Sequence, residues 1–250
     1  MRFSICFILV VSILAYACGG EKEPTNERSV VERDSTDVKE AMVHHDTCSL
    51  EQAMLRAGLI ALEDSVKEIT TDLRYSTRKN FMQMDLYGCL KKTYALPAVA
   101  DRLRKAQAYL DKKYKGLKLL VFDCARPLRV QQAMWDSVQM PVYKKIKFLS
   151  NPAMGSLHNY GAAVDLSLID SLGNELDMGT AYDDTSHVAW PVEEALWLEK
   201  GKLTKQQIQN RQVLRNAMYS HGFFGIQSEW WHFNFCTREA AIAAGYVQVK

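Results

Sequence analysis

The sequence predicts one α+β domain: a mostly antiparallel sheet flanked by helices, with a polar site in a cleft on the sheet. Three observations lead there. Segments 97–113 and 204–221 have helical apolar spacing, whereas 117–123, 162–168 and 229–235 read as strands, apolar throughout or alternating with a period of two. The strand segments are separated by long connections rather than by regular helix crossovers, which favours antiparallel pairing. Residues 47–250 are also enough chain for a single sizeable core.

Taken in order, residues 49–60 predict a short helix or an irregular lead-in. Pro97 stands at the first position of a helix, where its fixed φ and missing N–H cost nothing. Val99, Leu103, Ala106 and Leu110 then form one apolar stripe as far as Lys113. LKLLVFD (117–123) reads as a buried strand ending on an acid, and Pro127 opens a second helix carrying Val130, Ala133, Met134 and Trp135. In 162–168, Val164, Leu166 and Leu168 point one way and Ala163, Asp165 and Ser167 the other, so one face is expected in a core. A turn follows at 171–174. Ile208, Arg211, Leu214, Arg215 and Met218 keep helical spacing within 204–221, and Gly222 ends that helix. In the closing EWWHFNF, His232 and Asn234 alternate with Phe233 and Phe235, a strand pattern.

The first residues read as a separate segment. Arg2 precedes an almost wholly apolar run at 3–14, and Ala15-Tyr16-Ala17 leads into Cys18. This is the pattern of an export signal (1–17), and a cysteine after small residues resembles the bacterial lipobox, which implies lipid on Cys18 and a membrane anchor. Residues 18–46 are charged and nearly free of large apolar side chains, the composition of a polar tether. The folded domain is then 47–250, and its expected location is the bacterial cell envelope, periplasmic or outer-surface side. The net charge of +2 with no basic run gives no indication of a nucleic-acid partner, and no protein partner is indicated. Cys48, Cys89, Cys124 and Cys236 show no CxxC spacing, which argues against a cysteine zinc site. In an oxidising compartment they allow one or two disulfides of undetermined pairing.

Chemistry concentrates in GSLHNYGAAVDLSL (155–168) and EWWH (229–232). A carboxylate is costly to bury unpaired, so Asp165 needs a partner. His158, Asp165 and His232 suit a catalytic zinc, which takes three protein ligands and leaves a position for water. His158 and Asp165 are seven residues apart, an odd offset that would put them on opposite faces of a continuous strand. Asn159-Tyr160-Gly161 can reset the direction, with glycine allowing close backbone approach. Glu229 then fits a general base and Arg126 an oxyanion stabiliser. Each residue also has an ordinary structural reading: hydrogen-bonded histidines, a turn-capping aspartate, a solvated glutamate, an arginine in a plain ion pair.

SLHNYGAAVD and EWWH resemble the SxHxxGxAxD and ExWH motifs of the zinc D-alanyl-D-alanine dipeptidases of the vancomycin-resistance type. DLRYSTRKNF (72–81), FDCARPLRVQQAMW (122–135), LDMGTAYDD (176–184) and NRQVLRNAMYSHGFFGIQSEWWHFNF resemble further family segments in family order, covering roughly 69–235. The resemblance implies one zinc held by His158, Asp165 and His232, with Glu229 as acid/base and Arg126 as transition-state stabiliser. It implies Ser156 at the substrate carboxylate and Asp183 at the free amino group of D-Ala-D-Ala. The family often has an aromatic residue where this chain has Ala125, before Arg126. The same motifs also occur in carboxypeptidases and endopeptidases acting on longer wall peptides, and a non-catalytic, zinc-stabilised envelope module is the remaining alternative. Export points to salvage of wall dipeptides rather than resistance.

Overall fold

A five-stranded sheet carries both the core and the site. The computed structural model describes residues 48–250. The predicted export signal, Cys18, the tether, His44 and His45 lie outside the described residues. In chain order the elements are α1 (Ser49–Arg56), β1 (Ile60–Ala61), α2 (Leu62–Ser65), β2 (Thr70–Thr71), β3 (Tyr94–Ala95), α3 (Pro97–Lys113), β4 (Lys118–Asp123) and α4 (Leu128–Ser137). There follow α5 (Val142–Lys145), β5 (Ala163–Ile169), α6 (Glu194–Glu199), α7 (Lys205–Tyr219), β6 (Phe224–Gly225), β7 (His232–Asn234) and α8 (Arg238–Ala243). The main sheet has the order β2-β4-β5-β7-β6, and a small β1-β3 pair stands apart from it. Among the described residues, only β2 and β4 are parallel; every other pairing is antiparallel. The predicted α+β class is the one observed.

The helices begin where their side chains can satisfy free backbone N–H groups. Pro97 occupies the first turn of α3, and Lys112 and Lys113 sit in its last turn, where cations favour exposed carbonyls. Thr204 caps α7: its side chain accepts from the Gln207 N–H, and the Gln207 side chain accepts from the Thr204 N–H. α3 and α7 pack on each other and against β4 and β5. Leu103, Leu110, Leu119, Val121, Leu166, Leu214 and Met218 are completely buried in the shared core.

One expectation needs correction. β5 was expected to have one covered face, yet all seven of its residues are buried. It lies at the centre of the sheet, so one face meets the core while Asp165 and its neighbours floor a covered cleft. Arg211 and Arg215, at helical spacing with Leu214 and Met218, lie on the buried side of α7. Glu194 receives both Arg215 nitrogens at 2.8 and 2.7 Å and Arg211 Nη1 at 3.4 Å. Arg211 Nε also donates to the Met178 carbonyl at 2.7 Å, and Nη1 to that of Val188 at 3.1 Å, tying α7 to the irregular segment between β5 and α6.

Cys48 and Cys89 form a disulfide that closes a 41-residue separation and fastens the start of α1 to the loop before β3. Cys124 and Cys236 are free thiols, and Cys124 is wholly buried. Burial pushes the Cys124 thiol well above its ordinary range, so it is inert.

Candidate active site

Register brings the polar residues into one row. Asp165 on β5 pairs directly with His232 on β7 and, across an irregularity in β4, with Asp123. Directly opposed residues on adjacent strands present their side chains on the same face, about 5 Å apart. Asn234 lies two residues beyond His232 and shares that face.

His158 comes to the row from outside the strands. It sits in a 3-10 turn, Leu157–Tyr160, whose N-cap Ser156 accepts from the His158 N–H at 3.3 Å while the Ser156 N–H donates to Asn159 Oδ1 at 2.6 Å. Gly161 ends the turn at φ +64, a conformation L side chains rarely adopt. A Cβ there would also lie 2.9 Å from Leu59 Cδ2. This left-handed residue turns the chain between His158 and Asp165, as the odd spacing required. The turn is fixed to the arginine segment: the Arg126 N–H donates to the His158 carbonyl and Asn159 Nδ2 to the Arg126 carbonyl.

Three atoms converge. His232 Nδ1 is 3.0 Å from Asp165 Oδ1, His158 Nε2 is 3.3 Å from the same oxygen, and the two nitrogens are 3.2 Å apart. Donors on a tetrahedral ion with bonds of about 2.0 Å are about 3.3 Å from each other, so the triangle has the size a metal requires. The other ring nitrogens are already engaged. His158 Nδ1–H donates to the Cys124 carbonyl at 2.7 Å, and His232 Nε2–H donates to Asn234 Oδ1 at 2.9 Å. Both inward nitrogens therefore present lone pairs, and three electron-rich atoms this close repel one another unless a cation lies among them. The donor set fits a divalent metal.

The second Asp165 oxygen is held separately, accepting from Tyr182 Oη–H at 3.0 Å with Arg126 Nη2 at 3.4 Å. Burial opposes ionisation of Asp165, but in the metal-free cleft charge and hydrogen bonds from protonated facing imidazoles outweigh it and hold the carboxyl well below its usual range. A cation takes that part when the imidazoles present lone pairs. Arg126 is buried and directed by Asp123, whose Oδ2 accepts from its Nε at 2.9 Å and Nη2 at 2.6 Å; Gln131 accepts from Nη1 at 3.1 Å. Tyr87 Oη–H donates to the other Asp123 oxygen at 2.6 Å.

Glu229 stands beside the triangle without belonging to it, with Oε2 3.9 Å from His232 Nδ1. Burial, reinforced by the charges of Asp165 and Asp183, pushes its carboxyl up to about 7. Asp183 lines the same cleft, and its carboxylate accepts from Tyr75 Oη–H at 3.0 and 3.1 Å. Its backbone is left-handed at φ 64, unusual outside glycine and tolerated best by Asn and Asp. Burial, then the Asp165 charge, raises Asp183 to about 7 as well.

All seven residues proposed from sequence line one cleft of about 560 Å³: Arg126, Ser156, His158, Asp165, Asp183, Glu229 and His232. His187 is at its rim, stacked on Trp190 and bonded to Glu193, and His221 bonds to its own helix. Sequence reasoning missed Tyr75, Asp123, Tyr182 and Asn234. For Asn234 the signal was present, since a residue two places from a strand ligand shares its face. For Tyr75 and Tyr182 only neighbourhood to quoted motifs was available.

A sheet-borne triangle of two imidazoles and a carboxylate, with a displaced glutamate in a shared cleft, defines a metal-dependent hydrolase. Comparison with known proteins gives the particular family. Residues 55–250 match peptidase M15, the D-ala-D-ala dipeptidase family, and the chain belongs to it, so it is a metallopeptidase. It is similar to the D-alanyl-D-alanine dipeptidase of Escherichia coli K12, 31% identical over 70% of this chain and 83% of that protein. The Synechocystis sp. PCC 6803 enzyme of the same name is 30% identical over 54% of this chain and 66% of its own length. The Enterococcus faecalis V583 enzyme is 27% identical over 70% and 90%.

Proposed function

We propose that this chain is a zinc dipeptidase that hydrolyses free D-Ala-D-Ala to two D-alanines in peptidoglycan metabolism. The observation that carries the reading is the joint geometry of the cleft, a metal-sized donor triangle with Glu229 next to it and the Asp183 carboxyl in the same space. His158, Asp165 and His232 would hold the zinc; two imidazoles and a carboxylate suit it, with His158 and His232 oriented by Cys124 and Asn234. Once bound, zinc lowers the pKa of water toward about 7 and polarises a carbonyl.

The remaining work falls to the chain. Glu229 accepts a proton from the attacking water and returns it to the leaving amine as the C–N bond breaks. Burial raises its carboxyl in the metal-free cleft, and a cation held by the neighbouring donors would favour the ionised form that accepts the proton first. Arg126, held rigid by Asp123, supplies positive charge for the scissile carbonyl oxygen as negative charge grows there. Asp183, fixed by Tyr75, pairs with the substrate ammonium, and a longer peptide has a neutral amide at that point. Ser156 faces the carboxylate end.

The enzyme is exported and lipid-anchored through Cys18 in this reading, at the bacterial envelope. The apolar run at 3–14 ahead of Cys18 supports export, and the Cys48–Cys89 disulfide suits an oxidising compartment. The deciding experiment compares free D-Ala-D-Ala with its N-acetylated form on zinc-loaded protein. Preference for the free dipeptide, narrowed in Asp183→Asn, is expected. Equal cleavage of both by the wild type overturns the dipeptidase reading in favour of a carboxypeptidase.

A further inference from the structure

We propose that Arg238, at the start of α8, is the cationic anchor for the substrate's terminal carboxylate, acting together with Ser156. This rests on the reading of the cleft as a peptidase site and adds a residue that the motifs do not contain.

A substrate with a free carboxylate calls for a cation in the cleft, and four arginine and lysine side chains line it: Arg126, Lys144, Lys147 and Arg238. Arg126 is spoken for. Its Nε and Nη2 both meet Asp123, Nη1 meets Gln131, and Nη2 also reaches Asp165, so its fork has no pair of N–H groups left for a two-point grip on a carboxylate. Lys144 and Lys147 are exposed, where a flexible ammonium is screened by solvent and loses side-chain entropy on binding.

Arg238 differs from all three. It is half-buried, and its guanidinium forms no ion pair with any carboxylate among the described residues. One nitrogen, Nη2, donates to the Gly155 carbonyl at 2.6 Å, which tethers the fork to the cleft wall. That carbonyl belongs to the residue immediately before Ser156. The Ser156 oxygen accepts from the His158 N–H, so its own hydroxyl proton remains available to a ligand. A hydroxyl donor and a pre-oriented guanidinium with unused N–H groups thus lie on one wall, next to the turn that carries His158. This is the donor set that recognises a carboxylate through charge-assisted bonds. The cleft then has separate places for the two ends of a zwitterion, Asp183 with Tyr75 for the ammonium and Arg238 with Ser156 for the carboxylate.

The test uses zinc-loaded full-length protein and three compounds: D-Ala-D-Ala, its N-acetyl derivative and its C-terminal amide. The wild type is expected to favour the free acid strongly over the amide. In Arg238→Gln, KM for the free acid should rise about 10- to 100-fold, as for loss of one charge-assisted contact, with kcat changed only a few-fold. The preference for acid over amide should collapse with it, and Arg238→Lys should restore part. Zinc content measured on each variant reports whether the Gly155–His158 turn has been disturbed. An unchanged acid-to-amide ratio in Arg238→Gln overturns the assignment. The N-acetyl compound separates this from the dipeptidase reading: if the wild type cuts it well, that reading falls, yet its cleavage must still depend on Arg238. No cleavage of any compound by the wild type overturns both.

Discussion

Replacing Glu229 by glutamine should abolish turnover and stabilise the metal-free protein, by an amount that depends on pH. The Glu229 side chain is only 16% exposed, and its carboxyl is pushed from 4.5 to about 7. At 1.36 kcal/mol per pH unit, that displacement corresponds to roughly 3 kcal/mol of folding free energy. The sign follows from proton binding. Between about 4.5 and 7 the folded protein holds this proton and the unfolded chain does not, so stability falls as pH rises, and the full penalty is present above 7. Glutamine cannot ionise and escapes the penalty. Denaturant unfolding of EDTA-treated protein should show Glu229→Gln more stable than wild type by roughly 3 kcal/mol at pH 8.5, with little difference at pH 5. Asp183 carries a similar penalty, but it is present in both proteins and cancels. In the zinc-loaded enzyme the nearby cation favours ionised Glu229, so the pH-dependent difference should shrink. Hydrolysis should drop by about 100- to 10,000-fold, the usual contribution of a general acid/base, while zinc content stays the same. A stability difference equal at both pH values, or a glutamine variant keeping more than about a tenth of wild-type turnover, refutes the reasoning.

Asn234→Ala removes the acceptor that directs His232, and zinc affinity measured by chelator competition should weaken about 10- to 100-fold with the fold intact. Glu194→Ala leaves Arg211 and Arg215 buried without a counter-ion, so unfolding should cost about 3–5 kcal/mol less; a Glu194→Gln variant, which keeps hydrogen-bond acceptors, should lose less. Cys48→Ser should lower stability by about 2–4 kcal/mol, measured under non-reducing conditions, and added reductant should bring wild type to the same value.

The long elements could be read from the sequence because their determinants are local. Pro97 and the stripe Val99, Leu103, Ala106, Leu110 specify α3 without help from any other segment, and the observed helix is Pro97–Lys113. β1, β2, β3 and β6 are two residues each, too short to display a period, and exist only through their partners. The parallel pairing of Thr70 and Thr71 with Leu120 and Val121 is of this kind. So is the burial of Arg211 and Arg215, whose counter-ion Glu194 comes from another helix. The spacing of the two arginines is local, but the carboxylate that makes their burial tolerable is not.

The site divides along the same line. Residue types made His158, Asp165 and His232 one candidate set beside ordinary structural readings, and the resemblance of SLHNYGAAVD and EWWH to family motifs singled it out. What a sequence does not contain is the commitment of individual atoms. Asp165 serves the triangle with one oxygen and Tyr182 and Arg126 with the other, and only the register of β4, β5 and β7 decides that division. The same holds for arginine. Arg126 and Arg238 are alike as letters, but one has its fork committed to Asp123 and the other forms no ion pair with a carboxylate among the described residues. Which of two cations grips a ligand and which shapes the field around the reacting bond depends on what each already holds. That is a property of tertiary contacts, and it is why Arg238 was invisible until its neighbours were known.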